Sequence, residues 1–439
     1  MILGKPLYDK LPVWTQSLAV NLMSVKTYYG KYGRIFHDAS ARLTINERKD
    51  RGQLLDEQER QLFGLLEYAR RHVPYYRQLG CSPNRFRDWP ILDKQSVASK
   101  PDEFVSDQFA SRGLMVLRTS GTTGTPLRVW VSRVYHQTEM AFRWRHKAWG
   151  GVPFLSRSAY VSGHSVVPAS QLGPPFWRLD HVEKRLLCSS YHLSPTGLRA
   201  YIDEFRRFVP VFIHGYPSSL YVLAQYMLEH QIQDIRPRAV FAASETLLDF
   251  QRAAIQEAFG TRVFNWYGNT EMTCNIVECE AGGLHYRTDY GVLEILDDGA
   301  MVCTGLNNLA MPLIRYRVGD VAVSREGLCA CGRAFPLLEK VEGRMEDYVM
   351  TPDGRRVGRL DHLFKDAHHV REAQLEQRQI DELIIRIVKL DGFSPEDERV
   401  IKAEARQRLG DSIRIRFDYV THISRTSSGK FRFVLSALV

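Results

Sequence analysis

Five short stretches of this 439-residue chain bring together residue types suited to nucleotide chemistry. Arg118-Thr119-Ser120-Gly121-Thr122-Thr123-Gly124-Thr125-Pro126 concentrates glycines and hydroxyls between apolar segments. Glycine lets backbone amides approach an anion, and serine and threonine add donors without bulk, so the stretch suits a phosphate cradle. It lacks the G-K-[ST] ending of a Walker A loop, and taken alone an ordinary glycine-threonine turn fits it as well. Tyr267-Gly268-Asn269-Thr270-Glu271 offers an aromatic face that can stack a base and a carboxylate that can hold the Mg²⁺ bridging phosphate oxygens. Tyr316-Arg317-Val318-Gly319-Asp320 puts a carboxylate just past a glycine, where it could accept hydrogen bonds from ribose hydroxyls. Gly343-Arg344-Met345-Glu346-Asp347 and Arg425-Thr426-Ser427-Ser428-Gly429-Lys430 complete the series. Each admits a plain turn reading; their joint order does not.

A second set of chemistry-bearing residues is built from soft ligands. Cys279 and His285 are followed much later by Cys329-Ala330-Cys331. Two ligand pairs separated by a long segment is a common plan for a structural, tetrahedral Zn²⁺ site, although C-x-C is tighter than the usual C-x2-C. Spacing alone leaves zinc and buried free thiols open. Cys274, Cys81, Cys188 and Cys303 have no evident partners and read as structural. An odd count of seven cysteines fits a reducing compartment better than a disulfide framework. His164 and His214 each adjoin a glycine, and His214 is a candidate for a substrate pocket wall.

The elements that must position these residues fall into three textures. Residues 45 to 80 place Leu54, Leu55, Leu62, Leu65, Leu66 and Tyr68 near helical spacing and end at His72-Val73-Pro74, where proline disfavours helix at the preceding residue. From about 110 to 340, apolar runs such as Leu114 to Leu117, Val211 to Ile213 and Ala239 to Ala243 precede turns and alternate with helical stretches such as Ser218 to Glu229. That pattern predicts a layered α/β domain with ligand loops at strand ends. Beyond Gly343 come a strand over Leu383 to Val388, a helix opening at Ser394-Pro395-Glu396-Asp397 with Ile401, Ala405 and Leu409 on one face, and a strand over Ile413 to Tyr419. The expected division is 1–110 helical, 111–342 an α/β core, and 343–439 a small α+β domain.

Composition bounds the function classes. With 44% hydrophobic and 25% charged residues the chain is globular, which excludes disorder and a membrane bundle. No segment approaches the ~18 apolar residues of a membrane span, and the first residues lack a secretory h-region, so a cytoplasmic location is expected. The formal charge of +9 fits nucleic acid, an anionic membrane or phosphate-rich ligands. The basic residues are scattered, as in Arg355, Arg356 and Arg359, and a nucleic-acid partner is not expected.

Taken in order and spacing, the five motifs resemble the adenylate-forming superfamily of acyl-CoA synthetases, adenylation domains and luciferases, from about residue 110 to the C-terminus. Tyr75-Tyr76-Arg77 after His72-Val73-Pro74, the Gly215-Tyr216-Pro217-Ser218 turn and the short length resemble the phenylacetate–CoA ligase-like branch. Thr351-Pro352-Asp353-Gly354-Arg355 and Asp361-His362 resemble its CapK-type members. The resemblance implies a large α/β domain with a small mobile α+β C-terminal domain. It also implies an ATP-dependent ligase that turns a carboxylic acid into an acyl-AMP with pyrophosphate release. Thr119, Ser120, Gly121, Thr122, Thr123 and Gly124 would lie on the β- and γ-phosphates, and Ser244, Glu245 and Thr246 beside the adenine. Tyr267 would stack on that base, Gly268 and Thr270 would bind the nucleotide beside it, and Glu271 would ligate Mg²⁺. Asp320 would bind the ribose, Arg344 the ribose or phosphates, and Lys430 the carboxylate and α-phosphate. Glu346 stands where the family has a hinge aspartate. Zinc ligands at positions like Cys279, His285, Cys329 and Cys331 occur in the CapK-like branch, in a structural role. The acceptor expected first is coenzyme A; the alternatives are an amine, a sugar hydroxyl or a carrier-protein thiol, or a non-catalytic binding protein of the same fold. The neutral segment Trp266 to Thr273 points to an aryl or alkyl acid, and an oligomer is compatible with the sequence.

Overall fold

The computed structural model describes residues 5–109, 113–118, 127–163, 166–168, 171–342, 349–352, 356–357, 360–364, 367, 369–425 and 431–438. Its helices are α1 (Lys5–Asp9), α2 (Val13–Lys31), α3 (Arg34–Asn46), α4 (Arg51–His72), α5 (Pro74–Leu79), α6 (Lys94–Ser99), α7 (Arg133–Trp149), α8 (Pro195–Phe208), α9 (Pro217–Glu229), α10 (Asp249–Phe259) and α11 (Pro395–Leu409). Local chemistry sets several of their ends. Asp50 accepts from the Gln53 amide at 2.8 Å and opens α4, which closes at Val73 because Pro74 starts α5. Pro217 occupies the first turn of α9, where its missing N–H costs nothing. At α11 the Asp397 carboxylate takes both the amide and hydroxyl of Ser394 at 3.0 Å.

A short hairpin, β1 (Met115–Arg118) and β2 (Arg128–Val131), precedes the main sheet. That sheet holds β3 (Ser158–Ser162), β4 (Trp177–Asp180), β5 (Arg185–Ser189), β6 (Phe212–Gly215), β7 (Ala239–Ala243), β8 (Val263–Gly268), β9 (Asn275–Glu278), β10 (Leu284–Tyr286), β11 (Gly291–Ile295), β12 (Ala300–Gly305), β13 (Tyr316–Arg325) and β14 (Leu337–Glu342). Their spatial order is β11-β12-β13-β14-β10-β9-β8-β7-β6-β3-β5-β4. The block β5-β3-β6-β7-β8 is parallel and everything beyond β8 is antiparallel. Parallel strands need cover on both faces. Here α8, α9 and α10 close one face over Val161, Ile213, Val240 and Ala242, and α7 crosses the other, where Phe212 and Phe241 point.

The chain ends in a separate four-stranded sheet. Past β15 (Val349–Met350) and β16 (Arg356–Val357), strands β17 (Val370–Gln379), β18 (Glu382–Lys389), β19 (Arg414–Tyr419) and β20 (Val434–Ser436) lie in the order β19-β18-β17-β20. Ile401, Ala405 and Leu409 of α11 pack on Leu383, Ile385 and Ile387 of that sheet. Strand β20 has no counterpart in the sequence reading, because three residues beside a serine-glycine run carry no period. The architecture is a mixed α/β body followed by a small α+β domain.

Candidate active site

The carboxyl ends of β6, β7 and β8 open toward one side of the body, as strand-end loops of parallel sheets do. A tight turn leaves β6: a Cβ at Gly215 would stand 2.6 Å from the Val161 carbonyl oxygen, so only glycine lets α9 start there. After β7 comes Ser244, with φ at +75°, and after Glu271 comes Met272, with φ at +59°. Neither residue type favours that left-handed region, and strain of ~1–3 kcal/mol per residue persists where the surroundings impose it. Both strained residues border predicted nucleotide loops.

The predicted residues that the structure describes converge. Tyr267 donates a short hydrogen bond from its hydroxyl to the Asp320 carboxylate, joining the end of β8 to β13. Burial and that carboxylate raise the Tyr267 hydroxyl well above the usual phenol range, so it stays a donor. Glu271 accepts from the Tyr316 hydroxyl at 3.2 Å. Asn269 fastens the turn between them, holding the Thr273 amide at 2.9 Å and hydroxyl at 2.7 Å. Gly268 and Thr270 lie in this same turn, while Ser244 and Thr246 are exposed beside Glu245. Glu245 accepts from the Ser218 amide at 3.1 Å and from the Phe431 amide at 2.6 Å. Burial raises its carboxyl, and these two amides oppose that shift. The C-terminal chain is therefore seated on the β7 loop at Phe431, and a cavity of about 210 Å³ lies beside it, lined by Tyr221, Phe250, Arg371, Glu372, Arg425 and Phe433. Thr119, Ser120, Gly121, Thr122, Thr123, Gly124, Arg344, Lys430, Glu346 and His164 lie outside the described residues.

Beneath α7 stands a buried polar group that the sequence reading missed. Tyr135 donates to Met272 Sδ at 2.9 Å and contacts the Tyr290 hydroxyl at 2.9 Å. Tyr290 donates to Glu139 at 3.0 Å, and Glu139 holds Arg143 Nε at 2.9 Å. Arg143 keeps 48% of its side chain accessible. Its two Nη groups make no hydrogen bond to the described residues. Tyr160 and His214, with rings 5.0 Å apart, stand on the strand face that α7 covers. The one signal available was the i, i+4 spacing of Glu139, Arg143 and Lys147, which ordinarily marks a solvent face.

The soft ligands also converge. Cys279 Sγ lies 3.5 Å from Cys329 Sγ, Cys331 Sγ lies 3.3 Å from His285 Nε2, and all four ligand atoms fall within 4.8 Å of one another. Tetrahedral zinc bonds of about 2.0–2.3 Å need separations of that size. His285 Nδ1 donates to the Phe335 carbonyl at 3.1 Å, which leaves Nε2 as the ligating nitrogen. Gly283 keeps the space open: a Cβ there would stand 2.6 Å from Cys329 Sγ. Without a cation, burial pushes the Cys279 thiol up to about 12 and the His285 imidazole down to about 4. A divalent cation would reverse the first and suits the neutral imidazole of the second. The group fits a metal ion.

Comparison with known proteins accords with this geometry. Residues 349–437 match the model of the CapK C-terminal domain. Protein CapK of Staphylococcus aureus is 23% identical over 98% of both chains. The phenylacetate–coenzyme A ligase of Thermus thermophilus is 26% identical over 67% of this chain and 71% of its own. Among solved structures, 2-hydroxyisobutyryl-CoA ligase in the postadenylation state, in complex with R3-HIB-AMP, superposes with a TM-score of 0.70 at 18% identity, covering 89% of this chain and 91% of that one. The fold is that of the adenylate-forming ligases; the chain ends in a CapK C-terminal domain and is similar to CapK over its whole length and to phenylacetate–CoA ligases over about two thirds of it.

Proposed function

We propose that this protein joins a carboxylic acid to AMP and then transfers the acyl group to an acceptor, coenzyme A first. The observation that carries this reading is the meeting of three loops: Tyr267 bonded to Asp320, Glu271 beside Tyr316, and Glu245 tied to the C-terminal chain at Phe431. In the first step a carboxylate oxygen attacks the α-phosphorus of ATP and the bond to pyrophosphate breaks. In the second, the acceptor nucleophile adds to the acyl carbon, loses its proton and displaces AMP. The protein's contribution is positioning and charge. Asp320 would accept the ribose hydroxyls, Tyr267 would lie against the adenine, and Ser244, Glu245 and Thr246 would border it. Thr119 to Gly124 would cradle the β- and γ-phosphates, and Arg344 and Lys430 would place positive charge where negative charge builds. Glu271 would hold Mg²⁺, which when bound neutralises phosphate charge. Cys279, His285, Cys329 and Cys331 would hold Zn²⁺ in a structural role, since four protein ligands leave no open position. The body of the acid, aryl or alkyl, would lie over Tyr160 and His214, with any hydrogen-bond-accepting substituent facing Arg143.

Carboxylate-dependent exchange of pyrophosphate into ATP across a panel of acids, with hydroxylamine trapping of the acyl adenylate, tests the reading. Exchange is expected with at least one aryl or alkyl acid and should fall steeply in Lys430→Ala. Folded protein of confirmed zinc content that exchanges with no acid refutes it.

A further inference from the structure

Helix α2 is amphipathic in the wrong direction for a helix covering a body. Its polar side chains face inward. Gln16 is buried, donating to the Tyr8 and Leu11 carbonyls at 3.1 and 2.9 Å and accepting from Arg178 Nε at 3.0 Å. Asn21 brackets the end of β4, donating to the Leu179 carbonyl and accepting from the His181 amide, both at 2.8 Å. Ser24 donates to Asp180 at 2.9 Å. The opposite side carries Trp14, Leu18, Leu22, Val25 and Tyr29, each between 51% and 76% exposed. Their spacing of four, four, three and four residues makes one continuous ridge along a helix roughly 28 Å long. Scattered exposed apolar residues need no explanation, but a contiguous ridge does.

Charge decides what covers it. Residues 13–31 contain no aspartate or glutamate, and Lys26 is exposed on the ridge. Of the six lysines and arginines in residues 1–46, which supply +4 of the chain's +9 net of Asp9 and Asp38, Lys31 is turned inward on Glu183 and Arg34 pairs with Asp38, while Lys10, Lys26 and Arg42 are exposed. A second copy of the helix would set lysine against an acid-free ridge with no counter-charge. A bilayer with anionic headgroups supplies that charge and accepts the ridge, and a tryptophan and a tyrosine at its two ends suit the headgroup boundary. No helix of the described residues is long and apolar enough to cross a membrane. We propose that α2 lies in the plane of an anionic lipid surface, its Trp14–Tyr29 ridge inserted among the acyl chains and its basic neighbours on the headgroups.

Flotation of the full chain with vesicles of phosphatidylcholine alone, or about 3:1 phosphatidylcholine to phosphatidylglycerol, tests this at about 0.1 M salt. Enrichment on the anionic vesicles is expected. Leu18→Gln with Leu22→Gln should lower it at least about tenfold, and Lys26→Glu about fivefold. The second variant changes only an exposed charge and decides the matter should the first fold poorly. Equal or absent binding to the two vesicles overturns the proposal. So does a lipid-free dimer that the double variant splits into monomers, since the ridge would then be a seam between copies.

Discussion

Under α8, α9 and α10 the parallel strands meet hydrocarbon: Leu198, Phe205, Leu220, Leu223, Met227 and Ile255 pack on Val161, Ile213 and Val240. Under α7 the same strands meet Glu139 and Lys147, with Arg145 and Asp289 close by, and all four are buried. A wall of alkyl groups stabilises whatever lies around it, in proportion to the area it removes from water. Buried charge does the opposite unless each ion is paired, and a chain that keeps it on one face of a sheet retains groups suited to binding. The two faces thus divide the labour, one holding the sheet together and the other keeping polar groups next to Met272 and the predicted nucleotide loops.

The sharpest way to break that contrast is to orphan an ion. Asp289 takes both Nη groups of Arg145, at 2.7 and 2.9 Å, and the Arg145 charge is what lowers its carboxyl against the burial that would raise it. Asp289→Ala should cost about 3–5 kcal/mol in urea unfolding, since Arg145 would be left buried beside Arg287 with only Glu47, 4.0 Å from its Nε, as counter-charge. On the apolar face, Leu223→Ala should cost about 2–5 kcal/mol through a cavity alone, with the KM values for acid and ATP unchanged. If Asp289→Ala proves nearly neutral, the α7 face is wetted and the division of labour fails.

Lys147 sharpens the comparison through pH. Its ammonium is ringed by Trp144, Phe212 and Phe241, with centroids 5.3 to 5.9 Å away. Burial, then the charges of Arg143 and Arg185, bring its pKa down to about 7. A free lysine titrates near 10.4. Below pH 7 both folded and unfolded chains carry the proton, so the folded state bears the full cost of burying it. Between about 7 and 10.4 the unfolded chain holds a proton that the folded chain has released, so this group's contribution to stability rises with pH. Lys147→Met should therefore be more stable than the parent at pH 7, by on the order of a few kcal/mol. That advantage should shrink as urea midpoints are compared toward pH 10. A difference that stays constant across the window would place the ammonium in water.

Local chemistry explains which parts of the fold were legible in the sequence. Strand β7 runs over the predicted Ala239 to Ala243, α9 starts one residue before the predicted Ser218, and α11 opens at the Ser394–Asp397 cap, because each boundary is set by neighbours within four residues. The predicted nucleotide loops were visible as residue types, whereas the bond between Tyr267 and Asp320 spans 53 positions and follows no spacing. Likewise Cys279 and His285 meet Cys329 and Cys331 only because β10 pairs with both β9 and β14. Helix α2 and helix α7 drew no reading from the sequence, for a shared reason. Periodicity says that a helix has two faces but not which one is inward, and in both helices polar groups are the ones turned in.

Arg143 joins the charged face to the proposed chemistry, and its test is the finest of the series. Its Nε serves Glu139 while 48% of its side chain stays accessible, so the guanidinium has a structural end and an open end. Glutamine carries its amide nitrogen at the same chain position as arginine Nε. Arg143→Gln can therefore keep the hydrogen bond to Glu139 while removing the open fork. Stability should fall by about 1–3 kcal/mol, because Glu139 keeps its hydrogen bonds but loses the neighbouring charge. For an acid bearing a second acceptor group, such as a distal carboxylate, KM should rise about tenfold or more, as expected for losing a charge-assisted bidentate contact. The unsubstituted analogue and ATP should keep their KM values, because neither would reach the fork. Equal losses for the two acids would mean that Arg143 acts only by holding Glu139 and the tyrosines in place. No loss for either would mean that the acid lies elsewhere, and the polar group of α7 would then have to be read apart from the reaction.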